Sequence, residues 1–125
     1  MLRKVIYLVT LALLFAGLGS AQDNFVYTND DIGGPNSVSG FSVASDGSFT
    51  LIPGSPFLTG GAGVSGYGYY GTQRVTATTV GNFVFASNTA SNDVSVFTVD
   101  TNTGALTLVP GSPFPVGGSP GPAGP

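Results

Sequence analysis

The chain contains the same unusual motif twice, Pro-Gly-Ser-Pro-Phe, hereafter the PGSPF motif. Residues 51–61 read LIPGSPFLTGG and residues 108–118 read LVPGSPFPVGG, identical at eight of eleven positions. The match extends upstream, because FVYTN from residue 25 aligns with FVFASN from residue 83, and NSVSGFSV with NDVSVFTV. Repetition on this scale indicates a fold assembled from copies of one structural unit. We therefore interpret the chain as two units offset by 56 to 58 residues.

Each unit is predicted to form short antiparallel strands. Its apolar runs are rich in β-branched and aromatic residues, and segments such as residues 100–104, DTNTG, are typical of hairpin turns. Gly81-Asn82 is a tight hairpin signal that joins an extra strand to the front of the second unit. The predicted strands of the second unit are residues 74–80, 83–87, 93–99 and 105–109. The first unit lacks the extra strand, so three plus four strands are predicted and no helix.

Large apolar residues occupy both faces of these strands, as in VSVFTV at residues 94–99. A sheet that is covered on both sides has this pattern. Four-stranded sheets stacked between two neighbours are the blades of a β-propeller, so we predict an all-β partial β-propeller of two antiparallel blades. Phe114, at the end of the second PGSPF motif, is expected to fill the gap between blades. An immunoglobulin-like sandwich is the alternative, but it does not explain the repeat.

The first 21 residues have the pattern of a signal peptide. Basic Arg3 and Lys4 precede an apolar run at residues 5–18, and small residues follow, with Gly19 and Ala21 before the expected cleavage. The run is shorter than the roughly 20 residues that span a bilayer, although an uncleaved membrane anchor is the alternative. We therefore expect the product to be secreted, periplasmic or on the cell surface, touching a membrane only if the leader is retained.

The repeat and the leader together divide the chain into five segments. A propeller needs typically 4–8 blades, and two cannot close a ring. We therefore expect an N-terminal piece of a longer protein, with association of copies through the open blade faces as the alternative. The predicted segments are a signal peptide at 1–21, an incomplete first blade at 22–61, a Gly/Tyr-rich interblade loop at 62–73, a second blade at 74–118 and a Gly/Pro-rich tail at 119–125.

The charge of the mature chain excludes some partners. After removal of the leader, Arg74 is the one cation against six aspartates, a net charge of −5. Such a surface cannot neutralise a row of phosphates, so we expect no nucleic-acid partner. The chain has no His, Cys or Glu, which removes His-based triads, thiolate nucleophiles and the usual zinc ligands. No catalytic residue and no cofactor are predicted.

The repeat resembles that of lactonase-type, or YVTN-type, β-propellers. The resemblance rests on FVYTN, on NDVSVFTVDTNTGALTLVPGSPFPVGG and on the hairpin before Phe83, and it covers nearly the whole mature chain. It implies a seven-bladed ring in full-length members. Proteins of this group include sugar-lactone hydrolases and non-catalytic surface proteins, and none of the His or Glu positions of the hydrolases has a match here.

Two places are candidate binding sites. Tyr67, Tyr69 and Tyr70, with Arg74 nearby, lie in a Gly-rich segment and could stack on a carbohydrate or a partner protein, or form a flexible insertion that folds back on the sheet. Asp30 and Asp31 could bind a hard cation, or lie in a solvated loop.

These features indicate two functions. The first is a secreted, non-catalytic repeat segment that binds an unidentified protein or carbohydrate, or serves structurally at the cell surface. The second is the N-terminal part of a lactonase-like, 6-phosphogluconolactonase-type hydrolase whose catalytic residues lie in further blades. The sequence leaves both open.

We expect the exported protein to begin at Gln22, because cleavage needs small residues at the two positions that Gly19 and Ala21 occupy. Intact-mass measurement of the exported product checks this. Ala21→Phe should retain the leader, whereas Gln22→Asn should not affect cleavage. Retention of residues 1–21 in the unaltered chain would contradict the assignment.

Overall fold

A computed structural model describes residues 24–64, 75–78 and 81–117, and this part of the chain forms two antiparallel β-sheets and no helix. The first sheet contains β1 (Asn24–Asn29), β2 (Gly34–Val43), β3 (Phe49–Leu51) and β4 (Phe57–Gly63). The second contains β5 (Val75–Thr78), β6 (Phe83–Asn88), β7 (Asp93–Val99), β8 (Leu106–Leu108) and β9 (Phe114–Pro115). The all-β prediction is confirmed for the described residues.

The central strand of each sheet pairs with two successive strands along one edge. β2 pairs with β1 on one side, and on the other side with β3 and then β4. In the same way β7 pairs with β6 on one side and with β8 and then β9 on the other. The predicted count of three plus four strands is wrong, because the residues after each PGSPF motif pair again with the same central strand. β4 also continues to Gly63, past the predicted end of the first unit at residue 61.

The PGSPF motif makes the same turn in both units. Its Ser-Pro peptide bond is cis at Ser55 and again at Ser112. The Ser55 hydroxyl oxygen accepts a hydrogen bond from the Gly40 amide at 2.9 Å, and that of Ser112 accepts one from the Val96 amide at 2.8 Å. Gly40 and Val96 are equivalent positions of the two central strands. The serine hydroxyl therefore provides a hydrogen-bond acceptor for a backbone amide of the central strand, at the point where the pairing with the edge strands is interrupted.

The described turns agree with the turn chemistry of the sequence. Gly81 and Asn82 have φ of 76° and 51°, and positive φ at both positions is what a type I′ hairpin turn requires. In the hairpin between β7 and β8, the Asp100 carboxylate accepts the amides of Asn102 and Thr103 at 2.9 and 3.2 Å. These hydrogen bonds, first that of Asn102, lower the pKa of Asp100.

Cross-strand register defines two faces of each sheet, since residues paired across strands lie on the same face. The front face of the first sheet contains Val26, Phe41 and Leu51, and the front face of the second contains Val84, Phe97 and Leu108. The back face of the first sheet contains Tyr27, Val38 and Phe57, and the back face of the second contains Phe85, Val94 and Phe114.

The two sheets stack with the back face of the first on the front face of the second. The buried cluster between them joins Val38 of the first sheet to Val84, Ala86, Phe97 and Leu106 of the second. At its margin the Tyr27 hydroxyl donates a hydrogen bond to the Gly104 carbonyl at 2.7 Å, and burial raises the pKa of Tyr27. The core of this protein is therefore the interface between its two units.

Phe114 does not lie between the two described sheets, so its place in a gap between blades stays a prediction. Its equivalent in the first unit, Phe57, packs against the core cluster, whereas the Phe114 side chain is 43% exposed. The difference arises because the back face of the first sheet has a sheet against it, and no described strand covers the back face of the second.

We expect Gly104→Ala to destabilise the fold more than Gly47→Ala, its equivalent in the first unit. Both glycines have positive φ, 72° and 83°, so the backbone strain is shared. A Cβ at Gly104 would lie 2.5 Å from Phe25 and 2.7 Å from Ile52, whereas one at Gly47 has no atom within 4 Å. The difference in unfolding free energy should be about 1–3 kcal/mol, the usual effect of overpacking. Denaturant unfolding of both variants in dilute solution measures it, and equal losses would contradict the stacked arrangement.

Candidate functional site

A set of polar side chains lies in the middle of the interface between the sheets. Asn36 of β2 and Thr59 of β4 come from the first sheet, and Asn88 of β6 and Ser95 of β7 from the second. None of the four is more than 1% exposed. Burial of uncharged polar groups is unfavourable unless each finds a hydrogen-bond partner, so their contacts decide what this site does.

The four residues form a closed hydrogen-bonded ring, hereafter the polar ring. The Asn36 Nδ2 donates to Asn88 Oδ1 at 2.9 Å, and the Asn88 Nδ2 donates to Ser95 Oγ at 2.7 Å. The Ser95 hydroxyl then donates to the Thr59 carbonyl at 2.8 Å, and the Thr59 hydroxyl donates to the Asn36 carbonyl at 3.1 Å. Two of these four bonds cross from one sheet to the other, so the polar ring holds the units in one relative position.

Further contacts satisfy the remaining polar atoms of the ring. The Asn88 Nδ2 also donates to the Asp93 carboxylate at 2.6 Å, and Asn36 bonds the Asn29 side chain at 2.9 Å. Among the described residues, no buried side-chain nitrogen or oxygen lacks a partner. A Cβ at Gly61 would lie 2.7 Å from Asp93 Oδ1, so the adjoining backbone also approaches closely. The ring is a structural element, since its hydrogen-bonding capacity is used within the protein.

Sequence reasoning missed the polar ring. Asn88 lies at the end of FVFASN and Asn36 at the start of NSVSGFSV, where asparagine is usually interpreted as a turn residue. The available signal was that both units carry asparagine at strand ends and serine within the central strand. That signal does not say which residues of different units meet, because the contact depends on how the sheets stack.

The predicted metal-binding residues hold a loop in place. The Asp30 carboxylate accepts the Ser37 hydroxyl at 2.5 Å, and the Asp31 carboxylate accepts the Val64 amide at 3.2 Å. The loop between β1 and β2 is thereby tied to the end of β4, with Asp31 at φ of 43°. In the described ranges, no group of three or more His, Cys, Asp or Glu side chains could hold a metal ion. The cation site stays a prediction, while both carboxylates have structural contacts.

The other predicted site lies outside the described residues. Tyr67, Tyr69, Tyr70 and Arg74 belong to residues 65–74, and the leader to residues 1–23, neither of which is described. Ligand binding by the tyrosines and cleavage after Ala21 therefore stay predictions. Within residues 24–64, 75–78 and 81–117, no helix has the length and apolar character needed to span a membrane.

No described strand covers the two outer apolar faces of the stack, one at each end, hereafter the open faces. On the front face of the first sheet, Phe49 is 60% exposed and Leu51 56%, while Leu106, the equivalent of Phe49, is 7% exposed in the interface. Leu58 of β4 pairs with Ser37 and adds to the same face at 68% exposure. On the back face of the second sheet Phe114 is exposed and Phe85 is half-buried. Both faces are candidate contact surfaces, because exposed apolar patches often mark sites of association.

No protein-family model, curated protein or solved structure matches the chain. The resemblance to lactonase-type propeller repeats therefore rests on the residues of the sequence alone and stays a prediction.

We expect the substitutions Asn36→Ala and Asn88→Ala to be strongly destabilising and coupled. Each leaves buried partners unsatisfied, which should lower the unfolding free energy by about 1–3 kcal/mol. Because the two side chains bond each other across the interface, a double-mutant cycle should give a coupling energy of about 0.5–3 kcal/mol. Denaturant unfolding measures all four species, with Asn102→Ala in an exposed turn as a control expected within about 0.5 kcal/mol of the unaltered chain. Additive effects would show that the polar ring does not join the sheets.

Proposed function

We propose that the chain is an exported, non-catalytic repeat module of β-propeller type that serves as a structural and binding element outside the cytoplasm. The observation that supports it most directly is the front-to-back stacking of two equivalent sheets, with Phe57 of one unit packed on the core residues of the next. Blades of a propeller each lie between two neighbours in this way. In repeat architectures of this kind, stability comes from the contacts between neighbouring units.

The use of polar side chains supports a structural role. Asn36, Asn88 and Ser95 bond one another between the sheets, and the Asp30 and Asp31 carboxylates tie a loop to β4. A catalytic acid or base has to lie within reach of the substrate, and its own pKa has to suit the proton transfer. Hydrogen bonds within turns lower the pKa of Asp46, first that of the Ser48 side chain, and the pKa of Asp100, first that of the Asn102 amide. Both carboxylates therefore stay ionised at neutral pH and cap the turns.

The leader supports an exterior location for this module, and the composition says how the module is held together there. The basic, apolar and small segments of residues 1–21 are typical of export. A chain without cysteine has no disulfides to hold it, so it depends on packing and on internal hydrogen bonds. The closed polar ring and the sheet interface provide those contacts.

We expect the exported chain to leave the hydrolysis rate of a sugar δ-lactone at the rate in buffer alone. The measurement is acid release followed with a pH indicator, and heat-unfolded chain is the matched control. The double variant Asp30→Asn with Asp31→Asn should give the same background rate. A rate that requires the folded chain would overturn the non-catalytic assignment and favour a lactonase-like hydrolase.

A further inference from the structure

The two open faces of the stack are equivalent to the two faces that already bind each other inside it. On the front side, Val26, Phe49 and Leu51 of the first sheet correspond to Val84, Leu106 and Leu108 of the second, which lie in or against the core. On the back side, Phe114 corresponds to Phe57, which packs in that core. Each open face is therefore shaped like one partner of an interface that the chain forms internally.

The polar ring also has counterparts on the open faces. The contact of Asp30 with Ser37 repeats the contact of Asn88 with Asp93, which places Asp30 at the ring position of Asn88. Ser39 corresponds to Ser95, and Asn92 on the second unit corresponds to Asn36. If the two open faces stack as the internal faces do, the Asp30 carboxylate lies opposite the Asn92 side-chain amide, and a hydrogen bond between these groups is favourable. Three of the four ring positions are thus polar on the open faces, while the fourth, that of Thr59, is Val116.

The loops at the two ends are matched too. Gly104 lies against Phe25 and Ile52 of the first unit, while its equivalent Gly47 has open space around it. The residues equivalent to Phe25 and Ile52 are Phe83 and Val109. Two contacts are not reproduced. Phe85 stands at the position of Tyr27, whose hydroxyl donates to the Gly104 carbonyl, and Val116 stands at the position of Thr59, whose hydroxyl donates to the Asn36 carbonyl. We therefore expect a contact weaker than the internal one.

We propose that the front face of the first sheet in one copy binds the back face of the second sheet in another copy of this chain. The contact repeats the internal stacking and rests on the proposed function as a structural repeat module. Such a head-to-tail contact uses two different surfaces, so copies assemble into a ring when the rotation closes and into a filament when it does not. Two front faces would both present Asp30 and Ser39, the counterparts of Asn88 and Ser95, and neither would present a counterpart of Asn36.

The test uses one charged substitution on each open face of the exported chain. Leu51→Asp blocks the front face and Phe114→Asp blocks the back face. The Leu51 side chain is 56% exposed and that of Phe114 43%, and neither belongs to the buried core cluster. Thr50→Asp is the matched control, since Thr50 is exposed on the same strand and points to the opposite face. Analytical ultracentrifugation over a concentration series measures the mass, and circular dichroism checks the fold.

The unaltered chain and Thr50→Asp should associate with rising concentration, and each blocked variant should be monomeric, with association at least about tenfold weaker. An equimolar mixture of Leu51→Asp and Phe114→Asp should form a one-to-one dimer, because each contributes the intact face that the other lacks. An unfolded variant cannot give this rescue.

Three results would overturn the proposal. The unaltered chain could stay monomeric throughout, which would assign the front face to another partner. Phe114→Asp could still self-associate, which would indicate a contact between two front faces. The mixture could fail to form a dimer although both variants are folded. None of these results depends on lactone hydrolysis, so the failure of this proposal and that of the proposed function are distinguishable.

Gly47→Ala provides an independent probe of the same contact. Its Cβ meets nothing within the chain, but in the head-to-tail contact it would meet Phe83 and Val109 of the other copy. It should weaken association at least about tenfold. Association at unchanged strength would contradict the proposed geometry.

Discussion

The back of the first sheet lies on the front of the second, and every other feature of the fold depends on this contact. Neither sheet encloses a core of its own, because each presents one apolar face to the other. Full burial of a side chain such as Phe97, which is 1% exposed, stabilises a fold by about 1.5–3 kcal/mol. Val38 and Val84 contribute from opposite sheets, so separation of the sheets would expose both. The two units therefore stabilise each other.

The polar ring makes this contact specific. Apolar surfaces alone allow one sheet to slide over another, since burial depends little on direction. Hydrogen bonds that join Asn36 to Asn88 and Ser95 to Thr59 are satisfied in one relative position only. A shift of one residue would place buried amides opposite apolar side chains, which is unfavourable in a low-dielectric interior. Apolar burial thus provides the stability of the stack, and the ring selects its geometry.

The candidate site could be predicted only in part. Residues with reactive or binding chemistry, such as Asp30 and Asp31, are recognisable in the sequence, and the structure places both carboxylates in loop contacts. The buried positions at the centre are instead asparagine, serine and threonine, which carry no sequence signal beyond their turn propensity. Their role arises from contacts such as that of Asn36 with Asn88, 52 residues apart. A local sequence pattern does not show which residues that lie so far apart along the chain will be in contact.

Runs of β-branched and aromatic residues, turn residues and the repeat determined the strands of this protein, because each of these signals is present in the order of residues along the chain. The sequence by itself therefore identified β-strands at 83–87 and 93–99, which the structure places at 83–88 and 93–99, the hairpin at Gly81-Asn82 and the existence of two equivalent units. The tertiary structure decided the course of the chain after each PGSPF motif, since the return of β4 to β2 is a long-range pairing. It also decided which faces meet, so that Phe57 is packed and Phe114 is exposed although both stand in the same motif. Identical local sequences have different surroundings because burial depends on the neighbouring sheet.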